Sequence, residues 1–175
     1  MSEQPGETET YNSDADAQAK LRELAKRIEI AMLTTVDSGG TLRSRPMSTN
    51  GAVEFDGDLW FFTYGASHKV DEISHEPRVN VAFADPKTQT YISISGTAEL
   101  VRDKAKIEEL FKPELKAWFP KGTDEPDIAL LKVSAHKAEY WDSPSGIVAH
   151  AIGLIKSQLT GKPPSDMGDH EKVAL

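Results

Sequence analysis

Apolar and polar positions alternate along much of this chain, in short runs separated by turn residues. Ile30–Val36 is apolar and β-branched, and Asp37-Ser38-Gly39-Gly40 turns the chain so that Thr41–Thr49 returns as the second arm of a hairpin. Pro46 within that arm cannot donate to a ladder, which predicts a bulge or local break there. Ala52–Phe55, Asp56-Gly57-Asp58 and Leu59–Tyr64 read as a second hairpin. Val79, Val81 and Phe83 alternate with Asn80, Ala82 and Ala84, a half-buried strand, and Tyr91–Val101 is a longer one. Ile128–Val133 and Lys137–Trp141 are the last two strands.

A period of 3.6 replaces the alternation in four places. Leu21, Leu24, Ala25 and Ile28 mark a helix over Ala17–Ile30, capped by Asp14 or Asp16. Lys69–His75 is a short helix after the tight loop Gly65-Ala66-Ser67-His68, with Ser67 at its N-cap. Asp103–Phe111 is a third, with Pro113–Trp118 as its extension, and Ile147–Leu159 is a fourth. Six or seven short strands joined mostly by hairpins, with helices at the margins, predict a mainly β fold: an antiparallel β-barrel with peripheral helices. No phosphate-loop or dinucleotide glycine pattern occurs.

The chain has 175 residues, enough for one domain with its own core. Residues 1–16 read as a disordered acidic leader, 17–160 as the folded domain and 161–175 as a flexible polar tail. No run of apolar residues reaches membrane-spanning length, and the N-terminus has no secretory h-region. Cysteine is absent, which removes disulfides and thiolate chemistry and suits a cytoplasmic setting. The net charge is −8, and the first sixteen residues hold five acids and no base, which leaves −3 for the rest. A chain so balanced lacks the basic face that nucleic-acid binding needs.

Against that acidic background the cations cluster. Arg43 and Arg45 lie two apart on one strand, so they share a face and repel unless an anion lies between them. An exposed edge strand carrying charges is the ordinary alternative. Ser67-His68-Lys69 stands at the start of a helix, where free N–H groups and the helix dipole favour a phosphate; a plain cap and a solvated lysine would look the same. Trp60, Phe61, Phe62 and Tyr64 serve both faces of one strand, and Trp118 and Trp141 are candidates to stack on a ring or to pack as core. The five histidines are scattered without zinc spacing, so no metal site is expected. No G-x-S-x-G element supports a hydrolase.

Taken in order, Ala31–Val36, Arg43-Ser44-Arg45-Pro46-Met47, Leu59–Thr63, Ser67-His68-Lys69, Asn80–Phe83, Tyr91–Glu99 and Ala138-Glu139-Tyr140-Trp141 resemble the pyridoxamine 5′-phosphate oxidase-like flavin-binding superfamily. More narrowly they resemble its bacterial general stress protein 26 branch. The resemblance implies a six-stranded antiparallel split barrel, a homodimer, and FMN at the dimer interface, with FAD as the alternative cofactor. It places Arg43, Ser44, Arg45, Pro46 and Met47 along the flavin, with Phe62 and Thr63 beside the ring. Ser67, His68 and Lys69 fall on the phosphate clamp, where His68 replaces the family's arginine. Tyr91 and Trp141 fall where the partner chain approaches. The implied function is that of a flavin-dependent oxidoreductase acting on a small molecule, or of a flavin-binding stress or redox-sensing protein without turnover. After Trp141 the chain reads Asp142-Ser143-Pro144-Ser145-Gly146, in place of the Arg-x-His-Asp-Arg segment that holds vitamin B6 phosphate in the oxidases. A true pyridoxamine 5′-phosphate oxidase is therefore a third reading, ranked below the other two.

Overall fold

One long strand organises the molecule. In the computed structural model, which describes residues 10–49, 57–142 and 169–175, β6 (Ile128–Asp142) runs unbroken where two strands were expected. Its neighbour β5 (Thr90–Val101) pairs along nearly its whole length, with a register shift that sets Ser95 opposite Lys137 and Gly96 opposite Ala135. His136 is therefore the extra residue of a bulge. The opposite edge of β6 changes partner at the same point. Its first half pairs with β3 (Asp58–Tyr64) and its second half with β7 (Asp169–Ala174). β7 lies in the segment read as a flexible tail; Val173 is fully buried and draws it into the core.

The remaining strands are β1 (Ile30–Val36), β2 (Leu42–Ser48) and β4 (Arg78–Asp85). All the strand pairings are antiparallel, in the order β2-β1-β4-β5-β6-β3, with β7 off this path. β2 and β3 end the order yet approach each other, which is the split of the barrel. The expected strand at Ala52–Phe55 and helix at Ile147–Leu159 lie outside the described residues.

The β1–β2 turn forms as the sequence predicts. Asp37 accepts the backbone N–H groups of Gly39 and Thr41, each at 2.9 Å, and Gly40 takes φ +83°. Pro46 causes no bulge: it sits in register opposite Met32. Thr41 accepts from Asp37 and Thr49 donates to Glu29, the residues that flank β1, so odd-numbered residues of β2 face β1 and the nitrogen of Pro46 faces the open edge. An edge strand tolerates proline there without losing a bond.

Alternation sorts the side chains. Ala31, Leu33, Phe61, Val81, Phe83, Ile92, Ile94 and Val133 point inward beneath α1 (Ala15–Lys26), whose Leu21 and Leu24 are fully buried. Asp14 caps α1 by accepting from the Asp16 N–H. On the other face of β3 and β6 a second core forms from Ile107, Leu115, Phe119, Ile128 and Leu130, with Trp60, Phe62 and Phe111 packed on it. It lies under α3 (Lys104–Leu110) and the 3₁₀ turn Pro113–Ala117. Among the described residues no helix is long and apolar enough to cross a membrane.

Candidate functional site

The split between β2 and β3 is not filled by core side chains. It holds a cavity of about 370 Å³. Pro46, Met47 and Ser48 line it from β2, Phe62, Thr63 and Tyr64 from β3, and Leu115, Trp118 and Phe119 from the segment after α3, with Ile30 at its edge. Lys69, from α2 (His68–His75), is the one charged side chain among these. Its ammonium is half-buried and makes no hydrogen bond or ion pair among the described residues. Burial lowers its pKa, the charge of Arg45 lowers it further, and Glu72 opposes both. Among the described residues, the cavity thus combines one partly desolvated cation with a wall of aromatic side chains.

The rings of the aromatic wall contact one another. Phe62 meets Phe111 edge-on at 5.7 Å and Phe119 at 6.0 Å, and the Tyr64 ring lies 4.9 Å from Phe119. The Tyr64 hydroxyl donates to the Trp118 carbonyl at 2.9 Å. Burial, and then the charge of Glu125, raise its pKa above the ordinary tyrosine value.

The two arginines have their anion inside the protein. Arg45 donates to Glu72 at 2.6 Å and to Thr35 at 2.5 Å, and Thr35 donates to Glu72 at 2.5 Å. Arg43 lies 3.6 Å from the other oxygen of the same carboxylate. Glu72 is buried. Burial alone would raise its pKa, but the bonds from Thr35 and Arg45 and the two guanidinium charges outweigh it and hold the carboxyl below its usual value. Arg43 and His68 line a second cavity of about 370 Å³, which also borders Asp37, Asp71, Glu72 and His75. The first turn of α2 thus stands between two cavities, with Lys69 facing one and His68 the other.

The loop that leads into α2 is held from outside. Asp127 accepts from the Ala66 N–H at 2.7 Å and from Arg102 at 3.1 Å, and its carbonyl accepts from the Gly65 N–H at 2.9 Å. Those bonds, the Ala66 N–H first, keep its carboxyl below the usual range. A Cβ at Gly65 would lie 2.8 Å from Asp127 Oδ1 and closer still to the Arg102 guanidinium, so glycine is required while that clamp is closed. Ser67 occupies the N-cap of α2, but its side chain caps nothing. Its hydroxyl instead lies 3.2 Å from that of Thr63.

Of the residues singled out from the sequence, Pro46, Met47, Phe62, Thr63 and Lys69 come together at the first cavity, with Ser67 adjoining. Ser44 points to the outer face and shares a 2.7 Å hydrogen bond with Thr34. Tyr91 and Trp141 do not reach the cavity of their own chain. They are cross-strand partners, and Trp141 stacks on His170 of β7 with ring centroids 5.2 Å apart. Both lie on the outer sheet face, with Ile30 and Met32. Among the described residues no three histidines or carboxylates are grouped to hold a metal ion. Glu72 and Asp127 escaped the sequence reading, because a glutamate in a short helix and an aspartate before a strand look solvated until their partners are placed.

Comparison with known proteins gives the class. The model of the family described as pyridoxamine 5′-phosphate oxidase like matches residues 16–165, and the chain belongs to that family. Protein bli-3 of Neurospora crassa is 33% identical over 145 residues, which span 77% of this chain and 69% of that protein. The general stress FMN/FAD binding protein of Xanthomonas citri is 28% identical, with a TM-score of 0.65 over 77% of this chain and 94% of that one. A candidate general stress protein 26 from Jannaschia sp. CCS1 superposes with a TM-score of 0.74 over 93% of this chain and 100% of that one, at 24% identity. The fold is thus the split barrel of the general stress protein 26 type. The relatives include a fungal protein as well as bacterial ones, so they do not assign a bacterial source.

Proposed function

We propose that this protein binds FMN in the cavity between β2 and β3 of a homodimer and works as an oxidoreductase on a small molecule. The observation that carries the reading is the half-buried ammonium of Lys69, unpaired among the described residues, in a cavity walled by Phe62, Tyr64 and Phe119. The donor set fits the cofactor. Lys69 and Ser67 would hold the phosphate, Pro46, Met47 and Thr63 would flank the ring, and Phe62 would back it. Glu72 holds Arg45 beside the seat and offsets part of its charge, so the cations do not repel one another out of place. The FMN/FAD binding relative from Xanthomonas citri supports a flavin and leaves FAD as the alternative.

Bound flavin supplies the electron-accepting ring; the protein supplies placement and electrostatics. Among the described lining residues there is no carboxylate or imidazole, and the Tyr64 proton is held by the Trp118 carbonyl. The cavity therefore suits electron or hydride transfer and not hydrolysis. The same lining also suits a flavin carrier or redox sensor without turnover.

A second copy completes the site. Ile30, Pro46 and Ser48 line the cavity and also lie on the outer sheet face, so the cavity opens toward that face. Ile30, Met32 and Tyr91 are 50%, 41% and 42% exposed there, a contiguous apolar patch of the kind that marks an interface.

The test is the absorption spectrum of the purified protein after incubation with FMN and gel filtration. Retained flavin, bleached anaerobically by NADH or NADPH, is the result expected of the oxidoreductase. Retained flavin that neither nucleotide bleaches favours the carrier. A protein that emerges colourless refutes the flavin reading.

A further inference from the structure

Trp118 lines the β2–β3 cavity and is 61% exposed, while hydrogen bonds fix its backbone. Leu115 and Phe119 are buried on either side of it, 4% and 5% exposed. The N–H groups of Trp118 and Phe119 both donate to the Leu115 carbonyl, at 3.0 and 2.9 Å, and the Trp118 carbonyl accepts from Tyr64. In a 3₁₀ turn, side chains three apart eclipse. Leu115 and Trp118 accordingly face the same side, and both line the β2–β3 cavity. Among the described residues the indole has no ring partner and no cation over its face. A large, mostly exposed ring thus lines the cavity from a segment whose neighbours Leu115 and Phe119 are buried. Among the described residues that line the same cavity, Lys69 is the one cation, and there is no acid.

We infer that Trp118 is a ligand-contacting residue that stacks on the planar ring of whatever the cavity holds, while Lys69 takes its anionic end. The ligand class follows: a planar heteroaromatic ring carrying a phosphate, in preference to an aliphatic phosphate. The inference rests on the flavin reading and deepens it, because ring recognition and phosphate recognition are assigned to different residues. A tryptophan that merely shields Leu115 would show no such division.

The experiment measures dissociation constants of FMN, of riboflavin (the ring without phosphate) and of glycerol 3-phosphate (a phosphate without the ring). The proteins are the full-length chain and its Trp118→Ala, Trp118→Phe and Lys69→Met variants. Trp118 is exposed, so its variants are expected to keep the wild-type circular dichroism and melting temperature. Trp118→Ala should weaken FMN and riboflavin by the same factor, about tenfold, and Trp118→Phe should recover most of it. Lys69→Met should weaken FMN but not riboflavin, and glycerol 3-phosphate should bind feebly throughout. If Trp118→Ala leaves both flavins unchanged while Lys69→Met still weakens FMN, the role of Trp118 is overturned and the flavin seat stands. If none of the proteins binds either flavin, both are overturned.

Discussion

Arg45 donates to Glu72 across 2.6 Å, from an edge strand to a helix that follows the next strand in sequence. The contact is mostly buried, with the side chains 22% and 8% exposed. It meets half of the like-charge problem that Arg43 and Arg45 pose on one face, and it joins the β2 wall of the cavity to the helix that carries Lys69. Glu72→Gln removes the charge but keeps the shape, leaving Arg45 partly buried without its counter-ion. A loss of about 2 kcal/mol is expected. Because the carboxyl of Glu72 is held below its unfolded value, its stabilisation is present in full above about pH 4.3 and is lost as pH falls through the lower folded value. Urea titrations of both proteins should show a gap at pH 7 that narrows toward pH 3. A gap independent of pH contradicts the assignment.

Lys69 makes the opposite prediction. Its folded pKa lies below the unfolded value, with burial as the main cause, so the charged form opposes folding at neutral pH. That penalty fades as pH rises through the lowered pKa. Lys69→Met should therefore raise the melting temperature of the ligand-free protein by about 2 °C, a small effect because solvent screens a half-buried charge. Differential scanning fluorimetry without ligand checks this. A lower melting temperature in the variant would mean that Lys69 has a structural partner.

Gly96 tests the fold independently of the site. At the bulge, a Cβ on Gly96 would lie 2.2 Å from the Ser134 carbonyl oxygen and 3.2 Å from the Ala135 Cα. Both are backbone atoms of the central strand and cannot swing aside. Gly96→Ala should cost about 3 kcal/mol or prevent folding. A melting temperature equal to wild type would contradict the β5–β6 register.

The outer face predicts assembly. Met32→Asp places a charge in the middle of the exposed apolar patch, on a strand whose inward side is untouched. Sedimentation velocity should find the wild type as a dimer and the variant as a monomer. A monomeric wild type at micromolar concentration would remove the partner from the account.

Much of this was legible in the sequence, and the misses have physical causes. β1, β3, β4 and β5 show period-two burial because one face of each meets the core. β7 shows none: only Val173 of its six residues is buried, so its composition reads as tail. β6 was divided at Ser134-Ala135-His136 because a bulge interrupts alternation much as a turn does. Pro46 suggested a break because proline costs a strand only when its nitrogen faces a neighbour, and parity cannot be read without knowing which edge is free. Ser67 takes the N-cap position that its sequence context predicts, but its hydroxyl lies beside that of Thr63 and caps nothing. The arginine pair was seen to need an anion, and half of that need is met internally by Glu72, a long-range pairing that no local pattern announces.

The most direct measurement is a crystal structure of the protein grown with FMN. The account predicts two chains joined through the outer sheet faces, with the FMN phosphate about 3 Å from the Lys69 ammonium and the ring lying between β2 and β3 beside Trp118. Density for flavin elsewhere, or a phosphate turned away from Lys69, would contradict it.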